Sequence, residues 1–343
     1  MPVETLLLPP DQVGIEQAAA LLQLGENVAF PTETVYGLGG DARNDRAVAG
    51  IFAAKDRPDF NPLIVHSPDL AAAEGIARFT AEALALARAF WPGPLTLVLP
   101  LRPDAGISPL VTAGLQTVAV RVPAHPLAQR LLARFGGPVA APSANRSGRI
   151  SPTRAEHVMQ GLAGRIAAVL DGGPCPVGVE STIIGFTGGP HLLRPGGLAV
   201  DRIEALLGHP LPLPLSSAET GDRPVAPGQL ASHYAPRALL RLNCAGVPGA
   251  VHLAFGPSSA ALNLSPAADL TEAAANLFHL LRCADDMAGA NTGHWKINEN
   301  GDSLGLGLRN VEQRLAQLFP DRSRFEIAET DGWVHAKIEI NKF

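Results

Sequence analysis

The sequence predicts an α/β protein of two domains. Short apolar segments typical of buried strands alternate with amphipathic helical segments over about residues 1 to 205. At 343 residues and 46% hydrophobic content, the chain is long enough to bury more than one core. Its 35 Gly and 31 Pro indicate many tight turns, which are not typical of a coiled coil or a disordered chain.

The first elements follow from periodicity and from helix-ending residues. The segment IEQAAALLQLGENVAF predicts an amphipathic helix that ends near Gly25, followed by a buried strand at residues 27 to 30. The segment DRAVAGIFAAKDR also has apolar residues at helical spacing. It puts Lys55 and Arg57 at or just beyond the C-terminal end of a second helix.

The rest of this domain continues the alternation. The segments FTAEALALARAF and HPLAQRLLARFG predict helices, and RAEHVMQGLAGRIAAVLDGG predicts a helix followed by a strand. The other predicted strands are PLIVHS, LTLVLP, TVAVRVP, PVAAPSAN and GVESTIIGF. The α/β domain is therefore expected to cover residues 1–205.

A linker and a smaller domain follow. Residues 206–236 are rich in Pro, Ser and Gly, a composition typical of a linker. Residues 237–343 begin as a small α/β domain, with strands in ALLRLN and GAVHLAFGP and a helix in TEAAANLFHLLRCADDM. The sequence then becomes polar and contains two of the three Trp residues.

Composition limits the class of protein. The formal net charge of −5 argues against an extended basic face for nucleic acid, although it leaves room for a small basic pocket. Cys175, Cys244 and Cys283 are too few and too scattered for a disulfide framework or a zinc site. The N-terminus does not have the pattern of a signal peptide, and no apolar run approaches the roughly 20 residues that span a bilayer. We therefore expect a cytoplasmic protein with no membrane segment.

A Thr/Gly turn follows the first buried strand. It comprises residues 31–39, PTETVYGLG, and lies at a strand end, where open α/β sheets place ligands. Its hydroxyls and backbone amides can hold a small polar or anionic ligand. The same pattern is typical of a helix cap, so the turn alone leaves both interpretations open.

Three basic side chains come soon after this turn. Lys55 and Arg57 lie at a helix end, where cations are usually solvated. Pro58 and Pro62 stiffen the following loop, and His66 ends an apolar strand. A lone His of this kind is more often a core or rim residue than a catalyst. Structural and functional interpretations therefore both remain.

Other strand ends carry similar side chains. The segment APSANRSG follows one apolar strand, and GVEST begins another. Arg121 lies within a strand and Arg194 follows an apolar pair, and a buried Arg needs either a structural carboxylate or an anionic ligand. Together these strand ends suit a triphosphate and a small molecule that bears a carboxylate.

The chemistry predicted for this set is positioning and electrostatic stabilisation. Lys and Arg side chains neutralise phosphate charge and stabilise the charge that develops during transfer at phosphorus. The sequence contains no Ser-His-Asp order, HExxH or GxxxxGK[ST] motif, and its cysteines do not resemble an activated nucleophile. Covalent catalysis is therefore not expected.

Taken in order, these segments resemble the YrdC-type threonylcarbamoyl-AMP synthase family in its long two-domain form. The family signature is Lys-x-Arg followed downstream by Ser-x-Asn, here Lys55/Arg57 and Ser143/Asn145. The resemblance covers about residues 10 to 240. The matching segments are PTETVYGLG, KDRP, PLIVH, WPGPLT, RVP, APSANRSG, GVESTI, LRPG and HYAP.

The resemblance implies a fold and a reaction. The fold is a YrdC-like twisted mixed sheet around a basic concave pocket, with a smaller C-terminal α/β domain that is atypical here. The reaction converts L-threonine, bicarbonate or CO2, and ATP into threonylcarbamoyl-AMP and pyrophosphate. The product serves the threonylcarbamoyladenosine modification of tRNA next to the anticodon, through a downstream threonylcarbamoyl transferase machinery. A weak tRNA contact and Mg²⁺ on the ATP phosphates are further expectations.

The resemblance also implies roles for individual residues, carried over by motif. The catalytic residues would be Lys55, Arg57, Ser143 and Asn145. The threonine site would be Thr34, His66, Arg121, Ala141 (through its backbone) and Ser181. The ATP site would be Arg57, Asn61, Thr117, Ser143, Ser151, Arg194 and Tyr234. Tyr234 belongs to the linker, which would act as a lid over the pocket.

An alternative function is a non-catalytic RNA-binding module of the same fold that aids ribosome or tRNA maturation. Such a module would bind RNA through the same basic concavity. The intact Lys-x-Arg and Ser-x-Asn pairs and Tyr234 favour the enzyme.

The tail is expected to depart from the family after about residue 285. Residues 288–343 resemble the end of a sensor histidine-kinase ATPase domain, with glycine boxes at residues 291–293 and 305–311, then a helix and two strands. The alternative is a Gly-rich turn and helix start. No upstream helix with a magnesium-binding Asn precedes the first box. We therefore expect a junction near residues 285 to 290 and a tail that packs poorly or borrows contacts from the second domain.

Overall fold

The computed structural model describes residues 4–57, 61–212, 236, 240–242, 250–289, 295–299, 323–330 and 333–340. The chain divides into two units, Met1–His233 and Tyr234–Phe343. Within the described residues, no helix is both long enough and apolar enough to cross a membrane.

The first unit contains a sheet with parallel and antiparallel neighbours. Its strands are β1 (Leu6–Leu8), β2 (Val28–Phe30), β3 (Gly37–Asp41), β4 (Ile64–His66), β5 (Leu95–Pro100), β6 (Thr117–Arg121), β7 (Val139–Ala140), β8 (Ala168–Leu170), β9 (Thr182–Gly185) and β10 (His191–Arg194). Their order is β1-β8-β2-β3-β7-β4-β6-β5-β9-β10. Strands β4 and β6 are parallel, whereas β5 and β6 are antiparallel. The predicted mixed α/β sheet is confirmed.

Helices connect these strands, and polar caps start several of them. The helices are α1 (Gln12–Gln23), α2 (Asp45–Lys55), α3 (Leu70–Glu74), α4 (Ala81–Phe90), α5 (Pro109–Thr112), α6 (Pro126–Phe135), α7 (Ala155–Leu162) and α8 (Val200–Leu207). The side chain of Asn44 accepts hydrogen bonds from the backbone N–H groups of Arg46 and Ala47 and so caps α2. Helix α2 ends at Lys55, as the sequence predicts.

Strand β3 differs from the prediction, because the sequence shows only a turn there. Its residues are GLGGD, and Gly is unfavourable in strands. Close packing explains the glycines. A Cβ on Gly39 would lie 2.8 Å from Cε1 of Phe30, and a Cβ on Gly40 would lie 2.8 Å from Nδ2 of Asn27. The Thr/Gly turn thus leads into a strand, so the helix-cap interpretation is wrong.

Two buried clusters stabilise the first unit. In one, α2 and α4 contribute Ile51 and Leu86, and β5 contributes Leu97. In the other, Leu22 of α1 and Leu131 of α6 are buried together with strands β1, β2 and β8. The sheet is therefore covered by apolar side chains that alternate with the polar residues of the site.

The second unit has a four-stranded parallel sheet. Its elements are β11 (Leu240–Leu242), β12 (Val251–Phe255), β13 (Leu262–Asn263), the helix α9 (Leu270–Gly289) and β14 (Trp295–Glu299). The strand order is β11-β14-β12-β13, with β14 parallel to both neighbours. Strand β14 comes from the polar tail, so the tail supplies an inner strand of this sheet.

The end of the chain forms a separate strand pair. Strands β15 (Ser323–Thr330) and β16 (Trp333–Ile340) are antiparallel, which confirms the two predicted closing strands. Both predicted glycine boxes, residues 291–293 and 305–311, and the helix predicted after them lie outside the described residues.

The first prediction concerns the core. Leu97 is fully buried in β5, whereas Leu24 at the end of α1 is 72% exposed. We expect Leu97→Ala to lower the free energy of unfolding by about 3 kcal/mol, because it leaves a cavity among buried side chains. Leu24→Ala, the matched control, should change it by less than about 0.5 kcal/mol. Urea unfolding measures both values, and equal losses would contradict the described burial.

Candidate active site

A pocket forms where the ends of several strands meet two loops. The ends of β4, β6 and β10 and the start of β9 face the loop between β2 and β3 and the loop that follows β7. The lining residues are Thr32, Thr34, Val35, Gly37, Arg57, Ile64, His66, Arg121, Ala141, Pro142, Ser143, Glu180, Ser181 and Arg194. Strand ends thus supply the side chains, as the sequence predicts.

Eight predicted site residues line this one pocket. They are Thr34, Arg57, His66, Arg121, Ala141, Ser143, Ser181 and Arg194. Five others, Lys55, Asn61, Thr117, Asn145 and Ser151, are not among its lining residues. Tyr234 lies outside the described residues.

Arg121 is held in a buried ion pair. Its Nη2 donates to Oε1 of Glu33 at 2.7 Å, and the two side chains are only 4% and 8% exposed. Nε donates to the carbonyl of Gly93 at 3.2 Å, and Nη1 donates to Oγ1 of Thr34 at 2.9 Å. A guanidinium has five N–H donors, so two remain for a ligand in the pocket. A carboxylate that accepts both is the partner that this geometry suits.

Arg194 repeats the arrangement on the opposite wall. Its Nη1 is paired with Oε2 of Glu180, and its Nη2 donates to the carbonyl of Ser181 at 2.9 Å. The hydroxyl of Ser151 donates to Oε1 of Glu180 at 2.8 Å. Ser151 therefore contacts the pocket wall through Glu180.

The hydroxyl of Thr34 has a defined direction. Oγ1 of Thr32 lies 2.6 Å from the carbonyl of Val35, so Thr32 donates its single hydrogen there. The Thr32 and Thr34 hydroxyls are 2.8 Å apart, so Thr34 is the donor in that bond. Thr34 also accepts from Arg121. Its remaining lone pair can only accept, which suits an N–H or O–H of a ligand.

His66 is buried and neutral. Burial, and then the nearby charge of Arg121, lower the pKa of its imidazole to about 3. Its Nδ1 lies 3.3 Å from the carbonyl of Ile64, an acceptor, so Nδ1 carries the hydrogen. Nε2 is then an unprotonated acceptor. The side chain can orient a ligand O–H or N–H, but it is a weak base.

Arg57 and Asn61 lie on the adjoining loop. The Arg57 guanidinium donates to the carbonyls of Asn61 and Pro62, at 3.3 and 3.1 Å from Nη2. Asn61 is fully buried, and both polar atoms of its side chain have no hydrogen-bond partner among the described residues. A buried amide with no partner is costly. A ligand that bonds to it would remove this cost.

Lys55 is buried behind the pocket wall. Its Nζ donates to the carbonyls of Ser143 and Asn145, each at 2.5 Å, and the residue is 1% exposed. Burial, and then the charge of Arg57, lower its pKa well below the usual range. The Asn145 side chain donates to the carbonyls of Arg146 and Arg149. Lys55 and Asn145, two residues of the family signature, therefore hold the loop that carries Ser143.

Thr117 shares a sheet face with Arg121. Residues 117, 119 and 121 of β6 point to one side because side chains alternate along a strand. Four residues separate Thr117 from Arg121, or about 13 Å along the strand. Between them lies a small apolar cluster on that face, comprising Ile64, Val98, Ala119, Ile183 and Leu193. These five side chains are buried, so packed apolar residues separate Thr117 from Arg121.

The sequence did not single out Glu33 and Glu180 as site residues. The signal was present, because an Arg inside a buried strand needs a partner, and here both partners are structural carboxylates. Three arginines and two glutamates leave the pocket with a formal charge of about +1. The pocket is therefore only mildly basic, and it can bind anions without a large electrostatic cost in the unliganded protein.

Comparisons with known proteins agree with this architecture. The Sua5/YciO/YrdC family model, described as "Telomere recombination", matches residues 20–196. The model of the threonylcarbamoyl-AMP synthase C-terminal domain matches residues 198–314. This match continues past residue 285, so the predicted end of the resemblance is wrong. The predicted likeness of the tail to a histidine kinase receives no support from it.

Relatives with a named activity are similar over much of the chain. The threonylcarbamoyl-AMP synthase of Bacillus subtilis is 52% identical over 236 residues, which are 68% of this chain and 67% of the relative. The protein of that name from Pyrococcus abyssi is 48% identical over 226 residues, 65% of this chain and 66% of the relative. These alignments span about two thirds of the relatives' own length.

Solved structures are similar over a larger part. The crystal structure of P. abyssi Sua5 complexed with L-threonine has a TM-score of 0.79 and 38% identity, and covers 92% of this chain and 97% of that chain. The crystal structure of E. coli YciO has a TM-score of 0.51 and 23% identity over 57% of this chain and 96% of that chain. The second likeness concerns the fold alone.

The buried ion pair gives a stability prediction. Both Glu33 oxygens accept, one from Arg121 and the other from the N–H of Ala124 at 2.9 Å. Glu33→Gln would turn an NH2 group toward one of these donors and remove the charge that balances Arg121. We expect the free energy of unfolding to fall by about 3 kcal/mol.

Its matched control is an exposed glutamate. Glu26 lies 3.8 Å from Arg46, and both side chains are largely exposed. Glu26→Gln should change the free energy of unfolding by less than about 0.5 kcal/mol. Urea unfolding at pH 7 compares the variants. If both replacements had the same small effect, Glu33 would not be needed to balance Arg121.

His66 gives a prediction on pH. Its pKa is about 3 in the folded protein against 6.5 in the unfolded chain, so folding favours the neutral imidazole. The stability from this group is complete above pH 6.5 and is lost as pH falls toward 3. Wild-type protein should lose about 2 kcal/mol more than His66→Gln between pH 6.5 and 4.5. Urea unfolding across this range measures the difference, and identical pH profiles would show that His66 is not buried neutral.

Proposed function

The chain belongs to the Sua5/YciO/YrdC family, and we propose that it is an L-threonylcarbamoyladenylate synthase that uses L-threonine, bicarbonate or CO2, and ATP. The proposal is supported by the convergence of two residue sets in one pocket: Thr34, His66 and Arg121, and Arg57, Ser143 and Arg194. The first set suits a small amino acid, and the second suits phosphates. The named activity of the relatives agrees with this assignment.

The threonine site is proposed at the Arg121 end of the pocket. The two guanidinium N–H groups that remain on Arg121 bind the threonine carboxylate. Thr34 and Nε2 of His66, which can only accept, bind the amino group and the hydroxyl of threonine. The backbone of Ala141 and the hydroxyl of Ser181 complete the wall. An amino acid is thus fixed by its charged ends and its hydroxyl.

ATP is proposed to extend from there over the sheet face. Arg57, Ser143 and Arg194 contact the phosphates, and Asn61 gains the hydrogen-bond partners that it otherwise lacks. Thr117 lies farther along the same face, beyond the apolar cluster, and is proposed to contact the nucleotide. Ser151 acts through Glu180, which it contacts. Tyr234 of the linker is proposed as a lid residue over the nucleotide.

The reaction proceeds by positioning and charge stabilisation. The amine of threonine attacks the carbon of CO2 and loses a proton, which gives a carbamate. A carbamate oxygen then attacks the α-phosphorus of ATP, the bond to the β-phosphate oxygen breaks, and pyrophosphate leaves. The arginines stabilise the charge that develops on the phosphates. Lys55, behind the wall, holds the loop of Ser143 and Asn145 in place during this step.

Mg²⁺ is proposed to bind together with ATP, on its phosphates. Glu33 and Glu180 are engaged by arginines, so they are poor metal ligands. Oδ1 of Asn145 has no hydrogen-bond partner among the described residues, and oxygen is the ligand atom that Mg²⁺ prefers. The residues therefore fit an ion that is carried by the phosphates of ATP. Bound Mg²⁺ neutralises phosphate charge.

The product determines what must follow. Threonylcarbamoyl-AMP is a mixed anhydride, so a transferase that consumes it must act next. We propose that this transferase machinery modifies the adenosine next to the anticodon of tRNA, that the synthase itself contacts tRNA weakly at most, and that these steps take place in the cytoplasm. The alternative, a non-catalytic RNA-binding module, does not require the carboxylate- and phosphate-binding sets to meet in one pocket.

Turnover tests the proposal directly. Purified protein with ATP and Mg²⁺ should release pyrophosphate only when both threonine and bicarbonate are present. We expect Arg57→Ala to lower kcat/KM for ATP by about 10- to 100-fold, because hydrogen bonds to a charged group are worth about 1.5–3 kcal/mol. We expect turnover to fall far more than stability, and urea unfolding of the same variant measures the change in stability.

Arg43→Ala is the matched control. Arg43 pairs with Asp41 at 2.9 Å and does not line the pocket, so its loss should leave kcat/KM unchanged. Absence of pyrophosphate release from the wild-type protein would overturn the synthase proposal. RNA binding without turnover would support the alternative module instead.

A further inference from the structure

We propose that Asp56 is a positioning residue for ATP, which holds the end of α2 against the loop of residues 143–149 from its outer side. The group formed by Asp56, Arg146 and Arg165 is called the Asp56 clasp below. The inference rests on the proposed function, because the nucleotide is the ligand whose binding the clasp would affect.

The clasp is a two-arginine site on one carboxylate. Nε and Nη2 of Arg146 donate to Oδ2 of Asp56 at 3.0 and 2.5 Å. Nη1 of Arg165 donates to Oδ1 at 3.0 Å and to the carbonyl of Ala54 at 3.3 Å. These hydrogen bonds lower the pKa of the Asp56 carboxyl, which is therefore charged at neutral pH. Three chain segments thus meet at a single side chain.

Asp56 completes a connection that Lys55 makes from the inside. Lys55 binds the carbonyls of Ser143 and Asn145, and its own carbonyl accepts from the N–H of Ser147 at 2.9 Å. Asn145 in turn holds the carbonyl of Arg146, the residue that reaches Asp56. The loop is therefore fixed to the end of α2 by a buried contact on one side and by an exposed ion pair on the other.

This connection matters because both joined segments line the pocket. Arg57 follows Asp56 directly, and Ser143 begins the loop. Their spacing determines whether one triphosphate can contact both. A displacement of about 1 Å at such contacts is enough to reduce turnover strongly. Loss of the clasp should therefore weaken ATP binding while the threonine residues, which lie on other strands, are unaffected.

The backbone of Asp56 supports a role for its side chain. Asp56 has φ 50° and ψ 45°, the left-handed conformation at the end of α2. Glycine adopts this conformation without strain, whereas other residues are disfavoured in it. Asp and Asn tolerate this conformation better than most non-glycine residues, so Asp56 can end the helix and also present a carboxylate to the two arginines.

Two replacements of Asp56 test separately the charge of its side chain and the conformation of its backbone. Asp56→Asn removes the charge and keeps a residue that tolerates the left-handed conformation, and Asp56→Gly removes the side chain and relieves the strain. We expect both to raise KM for ATP about fivefold, with KM for threonine changed less than about twofold. Calorimetric titration with ATP alone should show the same loss of affinity without turnover.

Two further measurements distinguish an effect on ATP binding from a purely structural role: the salt dependence of ATP affinity and a double-mutant cycle. The ratio of the ATP dissociation constants of Asp56→Asn and wild type should fall toward one at about 1 M NaCl, where exposed ion pairs are screened. Arg146→Ala should also weaken ATP binding. The double variant should be no weaker than Asp56→Asn alone, because that replacement already breaks the Arg146 contact.

The control is Asp104→Asn. Asp104 pairs with Arg102 at 3.5 Å on the surface and does not line the pocket. Unchanged ATP affinity in Asp56→Asn, or an equal loss in Asp104→Asn, would overturn the clasp. Absence of turnover in the wild type would overturn the proposed synthase function instead, and ATP titration distinguishes the two failures.

Discussion

The buried ion pair between Arg121 and Glu33 is the interaction on which the pocket depends. It joins the end of β6 to the loop between β2 and β3, and through Gly93 and the N–H of Ala124 it reaches two more segments. A buried guanidinium without this carboxylate would be strongly unfavourable. With it, Arg121 is held at the pocket, and two of its five N–H groups have no partner among the described residues. The pocket is therefore pre-organised by a charge pair in which Glu33 holds the arginine that is proposed to bind the ligand.

The same solution appears at Arg194 and Glu180, so the pocket has two balanced walls. This balance explains how a chain of formal charge −5 can present arginines to an anion without a large basic surface. The positive charge is local, buried and almost neutralised until a ligand arrives. Specificity then comes from the directions of individual donors and acceptors. The hydroxyl of Thr34 is an example, because its own hydrogen is used within the protein and it can only accept from a ligand.

Sequence reasoning was sufficient for the elements with strong periodicity and for many of the pocket residues. Helix α2 and strands β4, β5 and β6 have clear patterns of apolar residues, and their polar ends indicated the site. Strand β3 could not be predicted, because its glycines are explained only by the close approach of Phe30 and Asn27. The position of Lys55 behind the wall, and of β14 inside the second sheet, depends on long-range contacts that local sequence does not encode.

The strand order of the first unit has a consequence for synthesis on the ribosome. Strand β1 pairs with β8, so Leu6 can pair only after Ala168 has been synthesised. Strand β5 pairs with β9, so Leu95 can pair only after Thr182 has been synthesised. Such distant pairings fold slowly and leave strand edges exposed in the growing chain. The last pocket residue, Arg194, emerges only after these partners. A nascent chain therefore cannot complete this sheet, or the pocket at its strand ends, before Arg194 has been synthesised.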